Sequence, residues 1–289
     1  MSMAARKHFT INARGRLLEL GSRTLIMGVL NVTPDSFSDG GRYLKSEDAV
    51  ARAWQIAGEG ADILDVGGES TRPGSAGVSA DEELERVVPV LDALAKDYPL
   101  PVSIDTSKAE VARAAFERGA VIVNDIRALR DNSALAEEVA SSGAALILMH
   151  MRGTPATMQR MPFSPDIMAE LEAWVEEAVA RAEKHGVSSE KIILDPGIGF
   201  GKTVSQNLEI LRNLHRLAAS GFPLMVGSSR KSFIGSILGD LDRDRIWGTG
   251  ATVAASIIFG AHVVRVHDVA AMRAVALMTD AIMDERLDG

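Results

Sequence analysis

One pattern recurs along the sequence: an amphipathic stretch, a glycine, and then a short apolar run that ends in a polar residue. It occurs at residues 60–65, 119–124, 143–150, 221–227 and 260–267. The glycine is typical of a helix C-terminal cap, because the left-handed conformation costs glycine little. The apolar runs are continuous rather than alternating, which is typical of parallel strands buried on both faces. The pattern therefore predicts helices that alternate with buried parallel strands.

Further apolar runs bring the predicted number of strands to eight: Leu25–Leu30, Val102–Asp105 and Ile192–Asp195. Eight strands that alternate with helices favour a (β/α)8 barrel, the TIM-barrel fold, and a doubly wound open sheet is the alternative. Residues 8–24 alternate polar and apolar side chains around Arg14-Gly15, which predicts a hairpin before the barrel. Because no linker or low-complexity segment divides the chain, we expect a single domain over residues 1–289, with the barrel core at about 24–285.

Several helix boundaries carry their own signals. Ser79 with Glu82, and Ser107 with Glu110, have the spacing of a capping box, in which the two side chains bond each other's backbone. Residues 166–185 and 268–285 show long helical periodicity. These signals predict two capped helix starts and two long helices.

Composition narrows the possible functions. The sequence has no cysteine, which excludes thiolate catalysis, iron–sulfur clusters and cysteine-based zinc sites. The net charge of −8 argues against nucleic acid or an anionic membrane as the partner. The N-terminus lacks a secretory signal, and the longest weakly polar stretch, 250–264, is shorter than the roughly 18 residues that a membrane span needs. We therefore expect a soluble, cytoplasmic protein.

Polar side chains stand at the end of every predicted strand. In a barrel the carboxyl ends of the strands surround the active site. Any one of these residues could be an ordinary polar residue at a strand exit, but together they predict a site at that end. They are Asn31, Asp65, Asp105, Asn124 with Asp125, His150, Asp195, Arg230 with Lys231, and Arg265 with His267.

Two groups of these residues indicate a ligand. Asp105, Asn124 and Asp195 on three strands would need donors in a shared cavity, and a flat heterocycle rich in N–H groups would supply them. The alternative is a structural network with Lys231 and water. Arg265 and His267 are two apart and share a strand face, which favours an anion clamp, whereas His262 faces the other way. The alternative is that Arg265 pairs with a neighbouring aspartate.

The glycine-rich segment 195–203 follows a predicted strand and precedes a helix, as a phosphate-binding loop does. It fails the Walker spacing because Pro196 stands where the first glycine is needed, and it fails the dinucleotide pattern because Lys202 occupies the third glycine position. We therefore reject nucleotide hydrolysis and dinucleotide binding. The segments 33–41 and 69–77 are candidate lids, and 227–232 is a candidate anion site at a helix start.

No spacing in the sequence is typical of a protein-built metal centre or a hydrolase triad. A divalent ion such as Mg²⁺ would need a substrate phosphate to supply most of its ligands, with Asn31 contributing one oxygen. Neither Ser70 nor Ser228 has a convincing histidine and aspartate partner order.

Two long segments resemble the signatures of the dihydropteroate synthase family: 27–41, MGVLNVTPDSFSDGG, and 65–74, DVGGESTRPG. Shorter segments follow in the order typical of that family, and the resemblance runs from about residue 10 to about residue 280. They are 103–107, 123–126, 149–151, 195–197, 229–231 and 265–268.

This resemblance implies a barrel that condenses p-aminobenzoate with 6-hydroxymethyl-7,8-dihydropterin pyrophosphate, with Mg²⁺ as cofactor and a dissociative departure of pyrophosphate. It also implies a homodimer and binding of p-aminobenzoate-mimicking sulfonamides. A methyltetrahydrofolate–corrinoid methyltransferase of the same superfamily and a catalytically silent pterin-binding paralogue are the alternatives.

The resemblance also assigns roles to residues. It implies that Asp105, Asn124, Asp195 and Lys231 bind the pterin. Pyrophosphate would contact Asn31, Thr71, Arg265 and His267, with Asn31 touching Mg²⁺. The implied p-aminobenzoate site consists of Phe37, Thr71, Arg72, Pro73, Phe200, Lys231 and Ser232. Asp35 and Asp105 are the residues that we expect to stabilise a developing cation.

Overall fold

Ten strands are present in the described part of the computed structural model, which comprises residues 6–33, 42–71, 74–75, 77–130, 132–158, 163–239 and 244–283. The first two form an antiparallel hairpin, β1 (Phe9–Ala13) and β2 (Arg16–Leu20). The other eight are parallel: β3 (Leu25–Asn31), β4 (Ile63–Gly67), β5 (Val102–Asp105), β6 (Ile122–Asp125), β7 (Ala145–Met149), β8 (Ile192–Asp195), β9 (Met225–Val226) and β10 (Val263–Val266).

Helices connect the parallel strands. They are α1 (Arg42–Gly58), α2 (Ala80–Leu94), α3 (Ala109–Glu117), α4 (Ser133–Ser142), α5 (Ile167–Lys184), α6 (Val204–Arg212), α7 (Leu214–Ala218), α8 (Ser232–Leu238), α9 (Ile246–Ile258) and α10 (Val269–Met283). A short 3₁₀ helix, Ser189–Lys191, precedes β8. Within the described ranges, no helix combines the length and the apolarity needed to cross a membrane.

The eight parallel strands form a nearly closed barrel. Their order is β8-β7-β6-β5-β4-β3-β10-β9, and a parallel bridge between Leu194 and Leu224 joins the two edge strands. The predicted (β/α)8 barrel with an N-terminal hairpin is confirmed, and the open sheet was wrong. The strand runs are buried on both faces because the helices cover the outside and apolar side chains fill the inside.

The hairpin closes the amino end of the barrel. Ile11 and Leu18 of the hairpin share one apolar cluster with Met27, Ile63 and Ile193, which lie in the first part of their strands. Polar contacts support this packing, since the Lys191 ammonium donates to the carbonyls of residues 12 and 143 at 3.0 and 2.6 Å. The hairpin therefore leaves the carboxyl ends of the strands as the open end.

The glycines of the repeated pattern have the conformation that the sequence predicts. Gly60, Gly119, Gly143, Gly221 and Gly260 all have positive φ, between 71° and 109°. Each ends a helical segment before a strand, so the chain reverses there without the steric cost of a Cβ.

One predicted capping box is confirmed and the other was wrong. At the start of α2, Ser79 Oγ accepts from the Glu82 N–H at 3.2 Å, and Glu82 Oε2 accepts from the Ser79 N–H at 3.0 Å. At the start of α3, no side chain caps the helix, and Ser107 Oγ donates to Asp125 Oδ1 at 2.5 Å. The helix begins one residue later than the spacing predicts, because Lys108 and not Ser107 occupies the N-cap position.

Candidate active site

A cavity of 580 Å³ opens at the carboxyl ends of the barrel strands. A second cavity of 280 Å³ shares Thr71 with it and reaches Asp105 at the end of β5. Sequence reasoning placed a site at this end, and the structure brings most of the expected side chains there. Those that line the larger cavity are Asn31, Thr71, Lys231, Ser232, Arg265 and His267. Asp35, Phe37, Arg72 and Pro73 lie outside the described residues.

Arg265 on β10 forms two ion pairs, with aspartates on β4 and β5, which lie two and three strands away around the barrel. Its Nε donates to Asp65 Oδ2 at 2.6 Å, and its Nη2 donates to Asp105 Oδ2 at 2.6 Å. The structure therefore contains the aspartate pairing that the sequence left open as an alternative to an anion clamp. Arg265 nevertheless lines the larger cavity beside His267, so two carboxylates hold its guanidinium at the cavity wall.

Asn124 is oriented by the same carboxylate. Its Nδ2 donates to Asp65 Oδ2 at 3.2 Å, and the side chains of both residues are buried. Among the described residues, Asn124 Oδ1 and Asp65 Oδ1 have no hydrogen-bond partner. Buried acceptors without donors are costly. A ligand with N–H groups is therefore the chemical complement of this site.

Asp195 is buried at the end of β8, next to Gly227 of the cavity wall. Its Oδ1 accepts from the Gly197 N–H at 2.7 Å. A Cβ placed on Gly227, which lines the cavity, would lie 3.9 Å from Asp195 Oδ2. The absence of a side chain at Gly227 thus leaves the carboxylate close to the open space.

Burial shifts the pKa values of both aspartates upward. Burial, together with the nearby carboxylates of Asp65, Glu83 and Asp125, raises the pKa of Asp105 to about 7, although Arg265 opposes this effect. Burial raises the pKa of Asp195 to about 6, opposed by the Gly197 N–H and by nearby lysines. Both carboxyls can therefore bind or release a proton near neutral pH.

Lys231 stands over an aromatic ring. Its Nζ lies 3.6 Å from the centroid of the Phe200 ring, and Phe200 itself is buried against Met149, Met151 and Met158. Burial, and repulsion by Arg265, lower the pKa of Lys231 to about 7. A buried ammonium that can lose its proton is poised beside the cavity.

His267 contacts Ser229. Its Nδ1 lies 3.1 Å from Ser229 Oγ. Burial, followed by repulsion from Arg265, Arg230 and Lys231, lowers the pKa of His267 to about 3. The ring is therefore neutral at pH 7 and can donate one N–H to an anion in the cavity.

His262 lies five residues before His267, at the amino end of the barrel. Its Nδ1 accepts from the Leu224 N–H at 3.1 Å, and its Nε2 lies 3.0 Å from the Lys7 carbonyl oxygen. The predicted separation of His262 from Arg265 and His267 is confirmed. His262 precedes β10 and His267 follows it, so the two histidines also lie at opposite ends of the strand.

Asn31 lies in the wall of the larger cavity with other neutral oxygen donors. The larger cavity places the Asn31 amide among the hydroxyls of Thr33, Ser70 and Thr71. Within the described ranges, no group of three or more histidine or acidic residues is placed to hold a metal. Neutral oxygen donors fit a Mg²⁺ that keeps water and phosphate as its main ligands, and they do not fit a closed protein-built site.

The sequence did not predict the role of Asp65 in positioning other residues of the site. Asp65 was counted among the polar strand ends but given no role, although the structure places it between Arg265 and Asn124. Its position inside an apolar strand was the available signal, because a carboxylate there needs a cation or donors nearby. Which partners it finds depends on strands that are distant in the sequence.

Comparisons with known proteins agree with this geometry. The family described as "Pterin binding enzyme" matches residues 27–267. The dihydropteroate synthase of Synechocystis sp. is 48% identical over 267 residues, which cover 92% of each chain. A relative this similar over nearly the full length shares the family and not only the fold.

Solved structures are similar over the same extent. The dihydropteroate synthase of Clostridium difficile, determined in the presence of pteroic acid, is 44% identical with a TM-score of 0.86, covering 92% of this chain and 98% of that one. The Xanthomonas albilineans enzyme with 4-aminobenzoic acid is 41% identical with a TM-score of 0.86, covering 96% of this chain and 98% of that one. The chain is an enzyme of the pterin-binding family and belongs, within that family, to the dihydropteroate synthases.

Proposed function

We propose that this chain condenses p-aminobenzoate with 6-hydroxymethyl-7,8-dihydropterin pyrophosphate to give 7,8-dihydropteroate and pyrophosphate. The observation that carries the proposal is the buried acceptor Asn124 Oδ1, which has no partner among the described residues and lies beside Asp65 and Asp105, the two carboxylates that hold Arg265 at the cavity wall. Acceptors in the depth of the site and cations nearer its mouth match a substrate with an N–H-rich ring at one end and a pyrophosphate at the other.

The pterin would occupy the acidic depth of the site. Its amino and ring N–H groups would donate to Asp105, Asn124 and Asp195, and Lys231 would contact its carbonyl side. Because the pKa values of Asp105 and Asp195 are raised to about 7 and about 6, donors from a pterin would favour their ionised forms. Pterin binding would therefore release protons near neutral pH.

The pyrophosphate would lie along Arg265, His267 and Thr71. Asn31 would hold a Mg²⁺ whose remaining ligands are water and phosphate oxygens. When bound, this ion would supply positive charge to the leaving group. The cavity contributes cations of its own, which an enzyme of net charge −8 needs where it binds an anion.

The p-aminobenzoate would lie nearer the rim, against Phe200, Thr71, Lys231 and Ser232. Phe200 is fixed by three methionines, and Lys231 covers its ring at 3.6 Å. The carboxylate would face Lys231 and Ser232, which both line the cavity. Phe37, Arg72 and Pro73 would complete this subsite.

The chemistry follows from the charges of the reactants. The bond between the pterin methylene carbon and the pyrophosphate oxygen breaks, and the oxygen keeps the electron pair. The amine nitrogen of p-aminobenzoate then bonds to the methylene carbon and loses a proton to solvent. An aromatic amine is neutral at pH 7, so the reaction needs no strong base. Departure of pyrophosphate is the difficult step, and Arg265 and His267 would stabilise its charge.

The electron-rich pterin can share the positive charge that remains after pyrophosphate leaves, which supports a dissociative step. Asp105, held by Arg265 at 2.6 Å, would stabilise that cation from the pterin side. Asp35 is proposed for the same role on the basis of the family signature alone.

We further propose a cytoplasmic homodimer that binds sulfonamides in place of p-aminobenzoate. Exposed apolar side chains on α9 and α10 support self-association, because such groups are usually covered. They are Trp247, Leu277, Met278 and Ile282, between 53% and 87% exposed. Light scattering during gel filtration tests the dimer, and competition of a sulfonamide with p-aminobenzoate tests the drug site.

The proposed reaction is tested by measuring pyrophosphate release with both substrates, with each substrate alone, and with and without Mg²⁺. Release that requires both substrates and depends on the metal is expected. Binding of the pterin substrate without turnover would contradict the proposed reaction and favour a silent pterin-binding protein.

A further inference from the structure

The ammonium of Lys202 is turned inward, behind the active site. Its Nζ donates to the carbonyl oxygens of His150, Gly197 and Phe200 at 3.2, 2.9 and 3.2 Å. In the described part of the chain, all its hydrogen bonds go to backbone carbonyls. An ammonium has three donors, so this arrangement satisfies it completely.

The loop that surrounds Lys202 depends on its glycines. Gly197 and Gly201 have φ of 65° and 67°. A Cβ on Gly197 would lie 1.9 Å from the His150 carbonyl oxygen, and one on Gly201 would lie 2.6 Å from the Arg152 carbonyl oxygen. The loop after β8 is therefore pressed against the segment after β7, and its carbonyls converge there. Convergent carbonyl dipoles repel each other unless a cation lies between them.

Two of the three carbonyls that Lys202 binds belong to residues that contact the proposed substrate site. The N–H of Gly197 donates to Asp195 Oδ1 at 2.7 Å, so this glycine links Lys202 to the proposed pterin carboxylate. Phe200 supports Lys231, whose Nζ lies 3.6 Å from its ring centroid, on the proposed p-aminobenzoate side. The third carbonyl belongs to His150, which directly follows β7 and accepts from the Lys202 ammonium.

We infer that Lys202 is a positioning residue for both substrate subsites, and that its ammonium holds Asp195 and Phe200 in register by binding the carbonyls of Gly197 and Phe200 together. The inference rests on the proposed function for the names of the substrates. The inference gives Lys202 a role, although the glycine-rich segment that contains it is not a phosphate-binding loop. Burial lowers the pKa of Lys202 to about 7, and the carboxylates of Asp195 and Glu170 oppose this effect. The three carbonyls favour the protonated form, so the role belongs to the hydrogen-bond donors of the ammonium and not to the volume of the side chain.

A neutral side chain of similar length tests the role of the charge. In Lys202→Met, we expect the KM for p-aminobenzoate and the Kd for pteroic acid each to rise about ten-fold or more, the scale of a lost charged hydrogen bond. We expect kcat to change by less than about three-fold, because Lys202 does not touch the reacting atoms. Lys184→Met, an exposed lysine in the last turn of α5, is the matched control and leaves all three quantities unchanged.

Chemical rescue separates the ammonium from its volume, and it keeps the inference testable should Lys202→Met fold poorly. In Lys202→Ala, added propylammonium is expected to restore the wild-type KM, and propanol is not. Wild-type KM and Kd values in Lys202→Met, or equal rescue by propanol, would overturn the inference. Turnover by the wild-type enzyme tests the proposed reaction separately, since pteroic acid affinity reports on Lys202 whether or not turnover occurs.

Discussion

The carboxylate of Asp65 on β4 lies 2.6 Å from Nε of Arg265 on β10, two strands away around the barrel. The same carboxylate oxygen accepts from Asn124 Nδ2 on β6 at 3.2 Å. One buried side chain thus holds a cation at the cavity wall and orients the Asn124 amide, whose Oδ1 has no hydrogen-bond partner among the described residues. Asp65 therefore positions two residues of the proposed substrate site.

Asp65→Asn should weaken pteroic acid binding about ten- to a hundred-fold. The substitution removes the charge that Arg265 needs and allows the Asn124 amide to turn its donors towards the cavity. Isothermal titration measures the affinity. Asp62→Asn, immediately before the same strand, is the matched control, because Asp62 pairs with Arg23 and Arg273 away from the cavity. Equal losses in the two variants would contradict a specific role for Asp65.

His267→Ala should lower kcat about ten- to a thousand-fold and leave pteroic acid affinity within about two-fold of the wild type. The neutral imidazole would donate to the departing pyrophosphate, and pteroic acid contains no such group. Steady-state kinetics and titration check the two halves of this prediction. His262→Asn, on the same segment but at the closed end of the barrel, should leave kcat unchanged; an unaltered kcat in His267→Ala would refute the role.

The pKa of Asp195 predicts how stability depends on pH. Its carboxyl keeps its proton up to about pH 6 in the native enzyme, but the usual value in an unfolded chain is about 4. The native state therefore binds more protons in this interval, and its stability falls as pH rises through it. Relative to Asp195→Asn, the wild type should lose about 2–3 kcal/mol of unfolding free energy between pH 4 and pH 7. Denaturant titrations at several pH values measure this difference, and parallel profiles would contradict it.

Gly197→Ala should be far more harmful than the same change at Gly119. Both glycines have positive φ, 65° and 89°, so both substitutions incur a backbone cost of roughly 1 kcal/mol. At Gly197 the new Cβ would also meet the His150 carbonyl oxygen at 1.9 Å, whereas nothing lies within 4 Å of a Cβ at Gly119. We expect a loss of about 3 kcal/mol or more for Gly197→Ala, measured by chemical unfolding. Similar losses at the two positions would show that the loop relaxes around the new methyl group.

Removal of Mg²⁺ should abolish most pyrophosphate release and leave pteroic acid binding unchanged, because the product analogue lacks the phosphates that would carry the ion. Asn31→Ala should raise the Mg²⁺ concentration needed for half-maximal rate by about ten-fold, the scale of one lost ligand interaction. Titration of the initial rate with Mg²⁺ measures both effects. A full rate in the presence of a chelator would exclude the metal from the reaction.

The sequence predicted the barrel because its evidence is local and repeated. Each glycine cap and each continuous apolar run can be recognised within about ten residues, and Gly119 and Gly143 have the positive φ that this reasoning requires. Ser107 shows the limit of local signals. It has the spacing of a capping box with Glu110 but does not cap α3. Its hydroxyl donates to Asp125, 18 positions along the chain, at 2.5 Å.

The sequence predicted which residues meet at the site more successfully than which hydrogen bonds they make with each other. Strand order implied that Asp105, Asn124 and Arg265 would meet at one end of the barrel. It could not show that Asp65 joins Asn124 and Arg265, because that depends on side-chain reach across strands that are 59 and 200 positions apart. The positioning role of Lys202 could not be predicted for a similar reason, because the sequence does not show that three backbone carbonyls converge on its ammonium.

The hairpin closes the barrel at its amino end, so the barrel is open only at its carboxyl end. In the described part of the chain, Ile11 and Leu18 fill the bottom, so molecules can enter and leave the depth around Asn124 and Asp195 only through the carboxyl end. With the substrates bound as proposed, p-aminobenzoate at the rim, between Thr71 and Ser232, would block that path. The pterin substrate would then have to bind before p-aminobenzoate, and 7,8-dihydropteroate would leave through the same opening. The hairpin, which lines neither cavity, would impose that order of binding.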